Sequence, residues 1–280
     1  MLVKLTLNEL YKILAKPRSY IGFLAITTII MLIEFALYVD GKNYIGFIFQ
    51  ALEQTVIIQG EILNGSLVCF IILQTLIIQM PLLVALVTGD LISGEMASGT
   101  IRLLATRPVS RGQILWSKIL AGGIYVFALL FWLGLLALGG GLLFFGTGDL
   151  TVLKTDELVI LRESDVIWRF ISAFGVAFIS LLLVASFSLM LSCFTDNSIG
   201  PIIMAMSVIV LFTIIGTMEV PLFDKIKPFL FTTHMVIWRN LFDNPVPKEM
   251  VVKSIAVLLG HIGLFLSIAH YKFTKTDIQN

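Results

Sequence analysis

Charged residues are scarce in this chain. Asp, Glu, Lys and Arg make up 13% of its 280 residues, whereas 58% are hydrophobic. Soluble globular proteins average about 25% charged residues. A soluble domain of this length would need a charged surface that this composition cannot supply, so lipid must form part of its solvent. The net charge of +1 points to no acidic or basic partner, and nucleic acid is not an expected ligand.

Motifs of catalysis and cofactor binding are also missing from the sequence. It has no Gly-x-x-x-x-Gly-Lys-Ser/Thr phosphate loop, because Gly41-Lys42 lacks the upstream glycine. It has no Gly-x-Ser-x-Gly or His-Glu-x-x-His motif either. Its histidines are scattered, and Cys69 and Cys193 are expected near opposite membrane faces, too far apart for a disulfide. We therefore expect no enzyme activity, cofactor or metal in this chain.

Long apolar runs are abundant and predict an all-α integral membrane protein with a single transmembrane domain over residues 1–280. A membrane helix needs about 20 mostly apolar residues. Six segments meet this requirement: 21–39, 67–87, 119–145, 167–193, 199–217 and 251–270.

The distribution of Lys and Arg predicts how these spans are oriented. Basic residues are concentrated before span 1 and between spans 2 and 3, at Lys4, Lys12, Lys16, Arg18, Arg102, Arg107, Arg111 and Lys118, whereas the loop between spans 1 and 2 carries only Lys42. The connection between spans 5 and 6 is basic as well, so the second half is ambiguous. The first half predicts a multi-pass protein of the inner, cytoplasmic membrane with both termini in the cytoplasm.

Two segments outside the spans are expected to lie at the membrane surface. Within residues 1–18, apolar residues of Leu2–Ala15 recur at helical spacing with Lys4, Lys12 and Lys16 between them, which predicts an amphipathic interfacial helix. An ordinary basic flank is the alternative. Residues 222–242, between spans 5 and 6, are apolar but interrupted by Pro228, which predicts a re-entrant or interfacial segment.

The cytoplasmic loop 90–118 has the most specific pattern. Ser98 or Thr100 is a candidate helix cap, and Pro108 stops a helix of about eight residues, roughly 12 Å long. Ser110-Arg-Gly-Gln113 then fits a capping box that starts the helix of span 3. Taken alone, the charges equally fit a solvated basic flank. Together with the glycines and the proline, the charges favour a rigid element that transmits movement from a cytoplasmic partner to the membrane helices.

Several short motifs in this loop resemble the signature loop of ABC-2 type transporter permeases, most closely the branch of NosY-like and antibiotic-export permeases. They are Gly94-Glu95, Gly99-Thr100, Arg102-Leu103-Leu104, Arg107-Pro108-Val109-Ser110-Arg111 and Lys118. The resemblance implies a coupling helix that docks on a separate ATP-binding cassette ATPase, and a second permease copy or paralogue as partner. The docking residues implied are Glu95, Gly99, Thr100, Ile101, Arg102, Leu104, Arg107, Pro108 and Arg111.

A few polar residues inside the spans are candidates for a substrate path. Glu34 lies about 20 Å into a hydrocarbon core of about 30 Å, where a carboxylate is costly and usually faces a cavity or partner. Its alternative is snorkelling to the outer interface beside Tyr38 and Asp40. Gln74, Gln79 and His261 are weaker candidates of the same kind. Glycines in span 3, including the run 139–141, favour helix packing within the chain.

Three functions are compatible with these features. The first is an ATP-driven permease subunit, expected to export its substrate. The second keeps this fold but serves assembly or maturation of an extracytoplasmic protein. The third is an ion-coupled carrier, which would favour broken helices and internal repeats, and the sequence shows neither clearly.

Overall fold

The computed structural model describes residues 1–53, 62–76, 79–100, 109–153 and 158–275. This part of the chain is mostly helical, which agrees with the predicted all-α membrane class. In chain order the elements are α1 Leu2–Ala15, α2 Arg18–Glu53, α3 Gly65–Leu76, α4 Gln79–Thr88, α5 Ser93–Ala97, α6 Arg111–Gly134, a π-helix Leu135–Gly140, α7 Gly141–Phe145, β1 Leu150–Leu153, β2 Leu158–Leu161, α8 Glu163–Ser192, α9 Gly200–Thr217, α10 Pro221–Asp224, a 3₁₀ turn Lys227–Phe229, α11 Phe231–Met235, a 3₁₀ turn Ile237–Phe242 and α12 Lys248–Lys275.

Five of these helical stretches are long and apolar enough to cross a membrane. They are Arg18–Gly41 of α2, Arg111–Phe145 of α6 through α7, α8, α9 and α12. Five of the six predicted spans coincide with these helices to within one residue at each end, apart from the longer ends of the helices. The first helix is longer than predicted, because α2 continues past Val39 to Glu53.

Among the described residues, the predicted span 67–87 comprises two helices, α3 and α4, which lie at an angle of 56° to each other. Pro81 lies in the first turn of α4, where its missing N–H costs no helical hydrogen bond. The second helix can therefore begin at Gln79 despite the proline.

The bundle has two distinguishable ends. At one end, which we call the α1 end, Lys118 of α6 contacts Glu9 of α1, and the Arg111 side chain donates to the carbonyl of Thr274 in α12 at 3.4 Å. At the other end, the Gly65 N–H donates to the Gly146 carbonyl at 2.9 Å. We call this the hairpin end, because the antiparallel strands β1 and β2 follow Gly146. The bent pair α3 and α4 connects the two ends, and the first and last helices both reach the α1 end.

Glycines bring α3 and the last turn of span 3 into backbone contact. A Cβ atom at Gly65 would lie 2.5 Å from the carbonyl carbon of Gly141, and a Cβ at Gly141 would lie 2.8 Å from the Gly65 oxygen. Side chains larger than hydrogen cannot fit at this distance. The glycine run of span 3 therefore packs within the chain, as the sequence favoured.

The antiparallel hairpin β1–β2 was not predicted. It pairs Leu150 with Leu161 and Leu153 with Leu158. Leu150 and Leu161 are buried against the helices, so the hairpin covers the hairpin end of the bundle.

The predicted surface segment 222–242 folds as short helical turns packed between α8 and α12. Phe242 stacks edge-on against Phe70 at 5.1 Å and Phe170 at 4.9 Å between ring centroids. The buried Arg169 guanidinium donates to the carbonyls of Leu241 and Asp243 at 2.6 and 2.7 Å. The guanidinium thus satisfies two carbonyls at the end of the segment, as irregular backbone at a membrane requires.

Candidate functional site

The predicted coupling loop reaches the folded bundle at both of its ends. The structure describes Asp90–Thr100 and 109–118, whereas residues 101–108 lie outside the described ranges, and with them Ile101, Arg102, Leu104, Arg107 and Pro108. At the second end, the Ser110 hydroxyl accepts a hydrogen bond from the Gln113 N–H at 3.3 Å, and α6 begins at Arg111. The predicted helix start is confirmed.

Four alternating charges form a closed ring at the α1 end, which we call the charge ring. The Lys118 ammonium lies 2.8 Å from a Glu9 oxygen and 2.7 Å from a Glu95 oxygen. The Lys12 ammonium lies 2.6 Å from the other Glu9 oxygen and 2.8 Å from the other Glu95 oxygen. The ring joins α1, α5 and α6, three elements far apart in the sequence.

Because the charge ring is largely buried, the loss of any one of its charges would leave another buried charge without a partner. The Lys118 side chain is fully buried, those of Glu9 and Glu95 are 7% and 11% exposed, and that of Lys12 is 42% exposed. Buried charges are tolerated only when paired, because desolvation costs several kcal/mol per ion. Each cation here has two carboxylates and each carboxylate has two cations, so the ring is neutral and fully paired.

Contacts within the charge ring shift the pKa values of two of its members, Glu95 and Lys12. Burial opposes ionisation of Glu95, but the nearby Lys118 and Lys12 outweigh it and hold the pKa of Glu95 below its usual value. Burial likewise opposes the charge on Lys12, but the hydrogen bonds that its ammonium donates to Glu9 and Glu95 outweigh burial, so the pKa of Lys12 is raised. The stability from Glu95 is complete above its unfolded-state pKa and is lost as the pH falls through its folded-state pKa. The stability from Lys12 is lost only as the pH rises through its raised pKa, so the contributions of Glu95 and Lys12 are both present at neutral pH.

A second cluster lies beside the ring and centres on the buried carboxylate of Asp90. Lys16 contacts one Asp90 oxygen at 2.7 Å, and Arg18 contacts the other at 2.9 Å. The Ser198 hydroxyl, from the connection between α8 and α9, also donates to Asp90. A Cβ atom at Gly94 would lie 2.3 Å from an Asp90 oxygen, so glycine is needed there for Asp90 to reach its partners.

Hydroxyl groups of α8 fix the same turn from the other side. The Ser192 hydroxyl accepts hydrogen bonds from the N–H groups of Ile92 and Ser93, at 3.2 and 2.8 Å. The hydroxyls of Thr88 and Ser188 lie 2.6 Å apart. The turn 88–100 is therefore held by α1, α2, α6 and α8 together. We call α1, this turn and the first turns of α6 the platform.

The described docking candidates have different surroundings. The Glu95 carboxylate is in the charge ring. Gly99 has a φ of +69° with open space around its Cα, and the Thr100 hydroxyl lies 2.9 Å from the Ser98 hydroxyl. Arg111 lies beside the end of α12. Gly99 and Thr100 are exposed and lead directly into residues 101–108.

Sequence reasoning missed the role of Glu9. It lies on the same helical face as the buried Thr6 and Ile13. An acidic residue on the buried face of an amphipathic helix was the available signal, because a carboxylate there requires a partner. The partner, Lys118, was noted in the motif without a reason for its position.

The four substrate-path candidates have different surroundings, and no hydrogen bond joins any two of them within the described ranges. Glu34 is buried against the π-helix of span 3, Gln74 and Gln79 lie on either side of the bend, and His261 lies among the rings of Phe231 and Phe265. Within the described ranges there is also no group of three His, Cys, Asp or Glu side chains that could hold a metal.

The fold and the platform define a multi-pass α-helical membrane protein. The particular family follows from sequence: residues 25–279 match the model of the family described as "Protein of unknown function (DUF2705)", and the chain belongs to this family. The uncharacterized protein YhcI of Bacillus subtilis (strain 168) is 30% identical over 204 residues, which cover 70% of this chain and 63% of YhcI. The uncharacterized membrane protein YdbK of the same strain is 27% identical over 212 residues, 72% of this chain and 79% of YdbK.

Proposed function

We propose that the chain is the membrane-spanning subunit of an ATP-binding cassette transporter, which exports a substrate across the cytoplasmic membrane with energy from a separate ATPase subunit. In this proposal α3 and α4 together form one bent span, which gives six spans and places the platform and both termini in the cytoplasm. A second copy or a paralogue completes the transporter.

The observation that carries the proposal is the platform. The stretch 101–108, with the apolar Ile101 and Leu104, leaves from Thr100 and returns at Val109. Close to both attachment points, the charge ring, Asp90 and Ser192 connect the platform to α1, α2, α6 and α8. A force applied to 101–108 is thereby transmitted to several membrane helices at once. That is the mechanical requirement for a permease driven from outside the membrane.

The proposal is tested by purifying the tagged chain from its native membranes under mild detergent. We expect an ATP-binding cassette ATPase to co-purify in stoichiometric amount, and its ATP turnover to respond to transported compounds in vesicles. A preparation that holds no ATPase, from membranes in which the chain is intact, would contradict the proposal. ATPase association without cargo accumulation in vesicles would favour the assembly or maturation role instead.

The proposed topology predicts a labelling pattern in intact cells. Single cysteines at three exposed positions, Lys4, Asn43 and Lys225, should differ in their reaction with a membrane-impermeant thiol reagent. Lys4→Cys should react only after the cells are permeabilised, because α1 is proposed to be cytoplasmic. Asn43→Cys and Lys225→Cys should react in intact cells, because both lie at the hairpin end.

Labelling of Lys225→Cys tests the orientation of the second half of the chain, which the distribution of basic residues leaves ambiguous. The native Cys69 and Cys193 are buried and provide an unlabelled background in the parent protein. Labelling of Lys4→Cys in intact cells would reverse the orientation. Shielding of Lys225→Cys together with labelling of Asn43→Cys would show that α3 and α4 do not form one span.

An ion-coupled carrier is a second candidate, and one observation favours it. Carriers use interrupted membrane helices to build their binding sites, and the 56° bend between α3 and α4 interrupts one candidate span. Gln79, at the start of α4, has a buried amide oxygen without a hydrogen-bond partner among the described residues. Substrate accumulation driven by an ion gradient without ATP would support this candidate over the permease.

A further inference from the structure

Glu34 is a buried acid for which the described part of the chain shows no hydrogen bond or ion pair. The residue is 8% exposed, and Oε1 has no hydrogen-bond partner among the described residues. Both carboxyl oxygens face the backbone of Gly140, where a Cβ atom would lie 2.6 Å from Oε1 and 3.1 Å from Oε2. The carboxyl group thus occupies the space that a side chain at position 140 would take.

The wall opposite Glu34 is an irregular part of span 3. Residues Leu135–Gly140 form a π-helix, a form that is rare and frequent at functional sites. One residue further on, Gly141 is in backbone contact with Gly65 of α3. The irregular turn and the contact together place the Gly140 backbone against the acid.

The neighbouring elements offer the acid no cation. By sequence, α3, α4, the π-helix and α7 contain no Lys, Arg or His. Lys118 and Arg111 of α6 lie 22 and 29 residues before Gly140, about 30 Å or more along the helix. The charged side chains of α1 contact partners at the α1 end. The Tyr125 hydroxyl donates to the Ser19 carbonyl at the same end. By sequence, the titratable side chain of α3 is Cys69, whose thiol is buried. Tyr38 and Asp40, on α2 itself, are exposed.

We propose that Glu34 is a proton-binding site, held as the neutral carboxylic acid in the packed state shown here. A buried ionised carboxylate without a partner costs many kcal/mol, and such a group binds a proton instead. The carboxylate takes one proton from a hydronium ion, so one O–H bond forms at Glu34 as one breaks in the donor, which becomes water. Glu34 lies seven residues before Gly41, about 10 Å from the hairpin end of its span.

This proposal is independent of the ATPase. A proton site could serve a permease or a carrier, and its test needs only the purified chain. A bound metal cation is the competing occupant, since it would keep Glu34 ionised. The two occupants differ in the protonation state of one carboxyl group, which infrared spectroscopy reports directly.

The test compares the purified wild-type chain with Glu34→Gln near neutral pH in detergent. Glutamine has the shape of the neutral acid, so the variant should elute and melt like the wild type. The infrared difference spectrum should show loss of one protonated carboxylic acid band, and the wild-type band should not change with sodium or potassium. Loss of an ionised carboxylate band instead, or no protonated band in the wild type, would overturn the proposal.

Alanine substitutions at two adjacent glycines test whether the contact with Gly140 holds the Glu34 carboxyl group. Gly140→Ala places a methyl group against the Glu34 oxygens, whereas a Cβ at Gly139 meets nothing within 4 Å. Gly140→Ala should shift or abolish the protonated acid band, and Gly139→Ala should leave it unchanged. An equal effect of both variants, or of neither, would show that the contact with Gly140 does not hold the acid.

Discussion

Replacing Lys118 by methionine should reduce the free energy of unfolding by about 3–5 kcal/mol, the cost of removing one partner from a buried ion pair. The Lys118 side chain is fully buried between Glu9 and Glu95. Methionine fills most of the same volume, so the loss is electrostatic. Lys12 would remain as the sole ring cation for two buried carboxylates. The measurement is unfolding of the purified protein in mixed detergent micelles at neutral pH.

Two further variants separate this electrostatic cost from a packing defect. Lys253→Met removes an exposed lysine of α12 and should change the free energy of unfolding by no more than about 0.5 kcal/mol. Adding Glu95→Gln to Lys118→Met removes the one uncompensated charge, leaves Lys12 paired with Glu9, and should restore much of the loss. A Lys118→Met variant as stable as Lys253→Met would show that the charge ring does not stabilise the platform.

The double variant Ile101→Ala, Leu104→Ala should weaken binding of the proposed ATPase a hundredfold or more. Each residue, if buried in a cleft of the partner, contributes about 1.5–3 kcal/mol. The loss of both exceeds two decades of affinity at about 1.4 kcal/mol per decade. Truncation of single charged residues at the rim should have smaller effects. Co-purification of the ATPase and its cargo-stimulated turnover measure the result.

A matched control is available on the lipid-facing side of α9. Ile203 and Leu211 are 60% and 53% exposed, and Ile203→Ala, Leu211→Ala removes the same atoms without touching the platform. This control should bind the ATPase like the wild type. Full binding and coupling in the Ile101→Ala, Leu104→Ala variant, correctly inserted, would mean that 101–108 is not the docking element and that the resemblance to ABC-2 permeases is misleading there.

Short-range chemistry explains what the sequence predicted well. The helix of Leu2–Ala15 follows from its apolar repeat, the start of α6 follows from the Ser110 cap, and five spans follow from runs of apolar residues. Each of these depends on neighbours within a few positions. The angle of 56° between α3 and α4 within the predicted span 67–87 was not predicted, because a run of hydrophobic residues carries no information about a bend.

The contacts of the charge ring could not be predicted in the same way. Glu9, Glu95 and Lys118 are separated by up to 109 positions, and each alone looks like an ordinary charge near a membrane boundary. Their pairing depends on how α1 packs on α6. The same applies to Glu34, whose depth was predicted but whose position against Gly140 depends on the π-helix of another span.

The sequence by itself determined that this is a helical membrane protein, because its charged residues are too few to cover a water-exposed surface. Its apolar runs also match the thickness of a bilayer. It also determined where the polar connections fall, since capping and proline act locally. Only the tertiary structure decided which charges neutralise one another and which acid is left without a partner. The physical reason is that burial and electrostatic energy depend on distances between helices, and those distances are set by packing.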